Sequence, residues 1–421
     1  MQDGVAQSMS DSIVIAGAGH AAGQLIASLR QGGYGGSIAL VGEEAFPPYQ
    51  RPPLSKTYLS GELARERLFL RPEKFYADQN VDLYLGQRVE RIDTARHSAV
   101  LSSGERLAYD RLVLATGSRV RRLALPGADL PGVHYLRNIA DVDAIQPAFR
   151  EGARLVIIGA GYIGLEVAAV AAKNGLDVTV IELADRVMAR SVTHEVSDFY
   201  AQVHRAAGVK LKLSSPPPRR FVGDGRLSAV EVESGDTYPA DLTIVGIGVT
   251  PETELAEQAG LACDDGIVVD EFCRTADPDI FAIGDCTKHP NPLLGRSLRL
   301  ESVHNAQEQA KTAAATLCGE SRPYRQVPWF WSDQYDLKLQ IVGLATGHEQ
   351  TLLRGDPDQR SFAVFCLDEG RLRAVEAVNS AREFMWSKKL MAAETPVDAA
   401  SLADTSRNFK EIAETLMARG G

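Results

Sequence analysis

Cysteine is scarce in this sequence. Five occur among 421 residues (Cys263, Cys273, Cys286, Cys318 and Cys366), and none precedes Cys263. No two form a Cys-x-x-Cys or a tighter pair. A redox-active disulfide or a zinc site therefore lacks support, and no metal is expected. An odd, scattered set of thiols suits a reducing compartment, so a cytoplasmic protein is expected. Long apolar runs are missing too. None reaches the roughly 18 residues of a membrane-spanning helix, which leaves no membrane role. Nor is positive charge in excess: the net charge of −10 at pH 7 argues against a nucleic-acid partner, although a local basic patch can still exist.

What remains is the profile of a folded chain, with 45% hydrophobic and 24% charged residues, long enough for two or three domains. Residues 1–8 are polar and precede a second methionine, Met9. They read as an extension without fixed structure, a non-native remnant or an upstream start.

Glycine is abundant, and two clusters of it fall where a strand would meet a helix. Ile13-Val14-Ile15 leads into Gly17-Ala18-Gly19-His20-Ala21-Ala22, and Leu155-Val156-Ile157-Ile158 leads into Gly159-Ala160-Gly161-Tyr162-Ile163-Gly164. The first glycine of such a turn permits the tight bend. The second lets the backbone approach a pyrophosphate, and the third small residue keeps the helix close to the sheet. The helix start then offers free N–H groups and a partial positive charge. One turn of this kind can merely connect a strand to a helix. Two in one chain predict two dinucleotides and hydride transfer between them.

Each cluster has a plausible ribose partner. Glu43 follows the strand Ser37–Val41, and Glu182 ends the strand Val178–Ile181. A carboxylate there accepts hydrogen bonds from ribose hydroxyls and repels a 2′-phosphate, so Glu182 predicts NADH over NADPH. Arg186 and Arg190 lie nearby and could soften that preference. Glu182 could also be a solvated strand end. Gly246-Ile247-Gly248 ends a further strand and could let the backbone approach a nicotinamide. Two distant segments raise the first cluster above a bare turn. Leu114-Ala115-Thr116-Gly117 resembles a strand end that flavoprotein reductases place between their nucleotides. The run from Thr275 to Gly284-Asp285 resembles the segment whose aspartate holds the ribityl chain of FAD. FAD is expected at the Gly17 turn and NADH at the Gly159 turn. Helices are predicted near 21–31, 163–174 and 305–318, and Ser214–Pro218 reads as a loop. After Val327 the texture shifts to strands near 337–342, 362–367 and 373–378, then helices, a small α+β domain.

Four longer segments go beyond nucleotide binding. They are Tyr49-Gln50-Arg51-Pro52-Pro53-Leu54-Ser55-Lys56, Gly161-Tyr162-Ile163-Gly164-Leu165-Glu166, Glu301-Ser302-Val303-His304-Asn305-Ala306 and Pro328-Trp329-Phe330-Trp331-Ser332-Asp333-Gln334-Tyr335. In this order they resemble the bacterial FAD-dependent, NADH-dependent ferredoxin reductases over nearly the whole chain from Met9. The resemblance implies an α/β chain with two Rossmann-like nucleotide-binding domains in a glutathione-reductase-like fold, plus a C-terminal α+β domain. The implied boundaries are 9–116 and 249–325 for the split FAD domain, 117–248 for the NAD domain and 326–421 for the C-terminal domain.

The resemblance also implies roles. Arg51 would lie on the FAD phosphates, Val89 on the adenine side and Arg137 at the domain junction near FAD. Val303 would present its N–H to the flavin, and Trp331 would lie beside the ring where electrons leave. Lys56 and Glu166 would meet at the flavin, with Glu166 orienting Lys56 and the nicotinamide; a structural ion pair is the plainer alternative. The family's usual third glycine is Ala22 here, and His20 is read as a turn residue with no proton to move. With no early cysteine, thiol chemistry at the flavin is not expected. The implied acceptor is a [2Fe-2S] ferredoxin feeding a cytochrome P450 or another oxygenase. It would be steered by Lys311, Lys338, Lys388 or Lys389. A rubredoxin reductase, a monodehydroascorbate reductase and, from another class, an apoptosis-inducing-factor-like binding flavoprotein are the alternatives.

Overall fold

The computed structural model describes residues 11–420; the extension at residues 1–8, and Met9, lie outside the described residues. The chain forms two compact units, each assembled from three separated stretches. One comprises residues up to Gln50, Leu68–Arg119 and Thr250–Gln326; the other comprises Arg51–Arg67, Val120–Val249 and Val327 onward.

The first unit is built on a five-stranded parallel sheet. Its order is Ile280–Ala282, Arg111–Leu114, Ser12–Ala16, Ser37–Gly42 and Val81–Leu85. Parallel strands covered on both faces read as continuous apolar runs, which is why Ile13, Val14 and Ile15 are all buried. The helix His20–Gln31 packs one apolar stripe, Ala22, Leu25, Ile26 and Leu29, against this sheet and against the helix Val303–Leu317. Each fully buried Leu or Ile contributes about 1.5–3 kcal/mol. Gly32 and Gly33 end the helix, with both N–H groups taken by its last carbonyls. An antiparallel meander, Val89–Asp93, Ser98–Leu101 and Arg106–Ala108, completes the unit.

The second unit repeats the plan. Its parallel sheet runs Lys210–Lys212, Asp177–Ile181, Arg154–Ile158, Leu242–Val245 and Val133–Tyr135. A meander of Pro218–Gly223, Leu227–Val232 and Thr237–Pro239 again accompanies it. Proline is compatible with the first position of a strand, so the loop expected at 214–218 yields to a strand at Pro218. From Trp329 an antiparallel five-stranded sheet, ordered Trp329–Gln334, Leu337–Gly343, Arg371–Val378, Ser361–Asp368 and Gln350–Asp356, is followed by three helices ending with Phe409–Gly420. Among the described residues no helix is long and apolar enough to cross a membrane.

Candidate functional site

The two glycine turns share one backbone. Gly17 has φ of 113° and Gly159 of 103°, a region that side chains rarely enter. A Cβ on Gly17 would lie 2.2 Å from the Ala115 carbonyl oxygen, and one on Gly159 2.4 Å from that of Gly246. Each turn therefore passes directly against the end of the neighbouring strand. Gly19 and Gly161 are the N-caps of the helices His20–Gln31 and Tyr162–Lys173, and neither helix has a side-chain cap. A Cβ at either position would meet nothing within 4 Å. Uncapped N–H groups beside open space form a cradle that a pyrophosphate fits.

In the first unit His20 opens its helix, and Ala21 and Ala22 are buried in the core. Glu43 is largely exposed, 3.5 Å from the Arg88 guanidinium. Val89 is buried among Val41, Leu101 and their neighbours. At the strand end after Ala115, the Thr116 hydroxyl donates to the Glu252 carbonyl at 2.7 Å. Gly117 has φ of 71°. Asp285 accepts from the Ser118 hydroxyl at 3.4 Å, and the Gly284 N–H is held by Gln309 Oε1 at 2.6 Å. Val303, rather than Asn305, is the first residue of its helix, because the Ser302 hydroxyl caps it by accepting from the Asn305 N–H at 3.1 Å.

In the second unit Gly164 is under a tighter constraint than Ala22. A Cβ there would lie 2.2 Å from the Gly159 carbonyl oxygen. Glu182 binds the turn itself, accepting from the Ala160 N–H at 2.6 Å and the Ala184 N–H at 2.8 Å. Arg186 is folded onto the carbonyls of Val192, at 2.8 Å, and Ala189, at 2.6 Å. It is thus committed locally, whereas Arg190 is exposed. Ile163 and Leu183 are exposed apolar side chains beside the turn and Glu182. Gly248, after the half-buried Ile247, has φ of 102°. The Tyr162 ring packs on Phe330 with centroids 4.5 Å apart, and burial raises its hydroxyl above the usual range.

The same unit brings Lys56 and Glu166 together. Pro52 and Pro53 set a short 3-10 turn, Pro52–Ser55, that delivers Lys56. Glu166 lies on the helix opened by the Gly159 turn and is only 2% exposed. Its Oε2 is 2.6 Å from Lys56 Nζ and accepts from the Ser55 hydroxyl at 2.5 Å; its Oε1 accepts from the Ser332 hydroxyl at 2.7 Å. A buried carboxylate held by one ammonium and two hydroxyls is a well-satisfied acceptor. Ser55 and Ser332 lie within the segments that sequence reasoning singled out, yet it gave them no task. Their inward direction was readable for Ser332, which alternates with Trp331 along its strand. Arg51 donates to the Arg137 carbonyl at 2.6 Å. Trp331 is half-buried between Trp329, 5.5 Å away, and Phe330.

The proposed docking lysines all have neighbours: Lys311 with Glu308 at 2.6 Å, Lys338 with Asp333 at 3.9 Å, Lys388 over Trp329 and Lys389 over Trp386. Sequence reasoning missed Glu376. It is a fully buried carboxyl on the strand Arg371–Val378 that accepts from the Thr193 N–H and hydroxyl, the latter at 2.8 Å. Desolvation lifts it to about 7, against those hydrogen bonds.

Residues 11–310 match the family described as pyridine nucleotide-disulphide oxidoreductase, and residues 329–413 match a reductase C-terminal domain. A rhodocoxin reductase of Rhodococcus erythropolis is 47% identical over 399 residues, covering 95% of this chain and 93% of its own. A rubredoxin-NAD(+) reductase of Pseudomonas putida is 41% identical, over 87% of this chain and 96% of its own. Among solved structures, the covalent complex of putidaredoxin reductase with putidaredoxin matches with a TM-score of 0.94 and 42% identity. That match covers 97% of this chain and 99% of that one.

Proposed function

We propose a function from a plain premise: the chain belongs to the pyridine nucleotide-disulphide oxidoreductase family, in its ferredoxin reductase branch. It is an FAD-dependent, NADH-dependent oxidoreductase that passes electrons to a [2Fe-2S] ferredoxin serving a cytochrome P450 or another oxygenase. One observation carries this reading. Glu166, on the helix of the second glycine turn, is buried against Lys56 at 2.6 Å. That pair offers charge and orientation, and no cysteine lies in its segments. The family's thiol chemistry therefore has no nucleophile here, and electrons leave to an external carrier.

The Gly17 turn, Glu43, Thr116–Gly117 and Gly284–Asp285 would hold FAD, with Arg51 and Arg137 on its phosphate side, Val89 toward the adenine, and Val303 and Trp331 toward the ring. The Gly159 turn, Glu182 and Ile247–Gly248 would hold NADH. These assignments follow an FAD domain at 9–116 and 249–325, an NAD domain at 117–248 and a C-terminal domain at 326–421. Bound there, FAD would supply the chemistry of hydride acceptance and single-electron donation. The residues of the chain do the rest: the turns bind and orient the nucleotides, and Glu166 holds Lys56 in place. The five cysteines are unpaired, which supports operation in the cytoplasm.

Purified protein is tested with NADH and three acceptors: ferredoxin, rubredoxin and ascorbate radical. Ferredoxin is expected to be reduced fastest, and less so as salt rises, because lysines would steer an acidic partner. Faster rubredoxin reduction would install the second reading, which the 41% identical relative favours. Lys56→Met is expected to slow flavin reduction by NADH about tenfold or more; an unchanged stopped-flow rate would remove Lys56 from the reaction.

A further inference from the structure

The hydrogen bond from Ser332 to Glu166 is the last link of a longer buried chain. Ser332 accepts from Gln334 Nε2 at 3.2 Å. Gln334 Oε1 is 2.9 Å from His204 Nε2, and His204 Nδ1 is 3.1 Å from the Tyr335 hydroxyl. Ser332, Gln334 and His204 are each no more than 1% exposed. The chain joins the strand Trp329–Gln334 to the helix His194–Ala206 and to the fingerprint helix that carries Glu166.

Donor and acceptor capacities fix its direction. Glu166, as a carboxylate, only accepts, so the Ser332 hydroxyl donates to it. Ser332 must then accept from the Gln334 amide N–H. That leaves the Gln334 carbonyl to accept from His204 Nε2–H and His204 Nδ1 to accept from Tyr335. His204 is therefore a neutral Nε2–H tautomer, in keeping with burial that depresses it to about 4. Because a hydroxyl oxygen accepts twice, a proton on Glu166 would turn only the Ser332–Glu166 link, and the links from Gln334 to His204 and Tyr335 would keep their direction. An amide in the middle makes this an orienting chain rather than a proton wire.

We propose that Ser332, Gln334 and His204 are positioning residues that hold the Glu166 carboxylate aimed at Lys56, and so set the rate of flavin reduction. The inference about rate rests on the Lys56–Glu166 reading above; the hydrogen-bond direction does not. Other ionisable groups lie around the chain. Tyr200 and Tyr162 are raised by burial and stay neutral, and Asp333 is half-buried, facing Lys338 at 3.9 Å.

The test uses the FAD-loaded protein. In wild type, 15N NMR of the His204 ring should give the Nε2–H tautomer from pH 6 to 8. Ser332→Ala should slow flavin reduction by NADH about tenfold without changing the KM for NADH, because Glu166 loses a donor and its aim at Lys56. Gln334→Met, one link further away, should do the same more weakly, and Ser332→Thr, which keeps the hydroxyl, should restore the rate. An Nδ1–H tautomer in wild type would overturn the direction of the chain. If Lys56→Met slows reduction while Ser332→Ala and Gln334→Met leave the rate unchanged, the positioning role is wrong. If Lys56→Met is also without effect, the functional reading of the pair has failed instead.

Discussion

The two compact units are two versions of one nucleotide-binding plan, and they differ where the plan leaves freedom. Each has a central strand, a left-handed first glycine against a neighbouring carbonyl, and an uncapped helix. They part at the third small residue and at the acid. In the second unit Gly164 sits against its own turn, where a Cβ would be 2.2 Å from Gly159 O. In the first unit the corresponding residue is Ala22, whose side chain is buried in the core. The close approach falls one residue later, where a Cβ on Gly23 would be 3.0 Å from Pro48 and Leu70 side chains. Glu182 is tied into its turn by the Ala160 N–H, whereas Glu43 is largely exposed and pairs with Arg88. The lesson is that the first glycine is demanded by the fold. The third position and the acid are set by how closely each helix and strand end approach the turn.

The largest effects should come from the shared feature. Gly17→Ala and Gly159→Ala each force a Cβ into a carbonyl at positive φ, which should cost about 2–5 kcal/mol in thermal or denaturant unfolding. Gly17→Ala should also lose FAD on purification, while Gly159→Ala should keep FAD and lose NADH binding. The opposite pattern would exchange the two turns. Gly164→Ala should approach the same cost, but Ala22→Gly only about 1 kcal/mol, the helix-propensity difference. Equal costs would erase the asymmetry.

A second contrast lies in the titratable groups each unit buries, and it should appear in stability against pH. The second unit buries Glu376, raised to about 7, and His204, depressed to about 4. The first buries His289, also depressed to about 4, with no side-chain hydrogen-bond partner for either ring nitrogen among the described residues. For Glu376 the folded value lies above the unfolded one, so its contribution is whole below about 4.5 and is lost as pH rises through 7. For the histidines the folded value lies below, so their contribution is present above about 6.5 and lost as pH falls toward 4. Each displacement corresponds to roughly 3 kcal/mol. Denaturant midpoints should therefore peak near pH ~6.5. Glu376→Gln should remove the loss between about pH 4.5 and 7, steepening the rise on the acid side and flattening the fall above about 6.5; an unchanged profile over that window would show that Glu376 is ionised throughout.

The smallest effect concerns the acids. Glu182→Gln should raise the KM for NADH about tenfold and narrow the preference over NADPH. Glu43→Gln should change neither. Matched losses would mean that Glu182 only braces its turn.

Much of the frame was legible because its causes are local. Continuous apolar runs ending in glycine mark buried parallel strands, and the predicted helices near 21–31 and 163–174 lie within a residue of those observed. The meanders at 89–108 and 218–239 were harder to read, since short half-exposed strands carry weak alternation. The Glu166 environment was only partly legible. Its partners Ser55, Lys56 and Ser332 come from three segments, and Ser332 and Gln334 stood inside a motif in which Trp331 drew attention. His204 on an amphipathic helix reads as any other buried or capping histidine.

By itself, the sequence determined two dinucleotide turns and the lack of an early thiol, because a glycine bend and a missing nucleophile need no neighbours to be recognised. Only the tertiary structure decided that Glu166 ends a directed chain from Tyr335, that Arg186 is committed to its own loop, and that Ala22 suffices where Gly164 is required. Those outcomes depend on distances between segments far apart in the chain, which packing sets and local pattern does not encode.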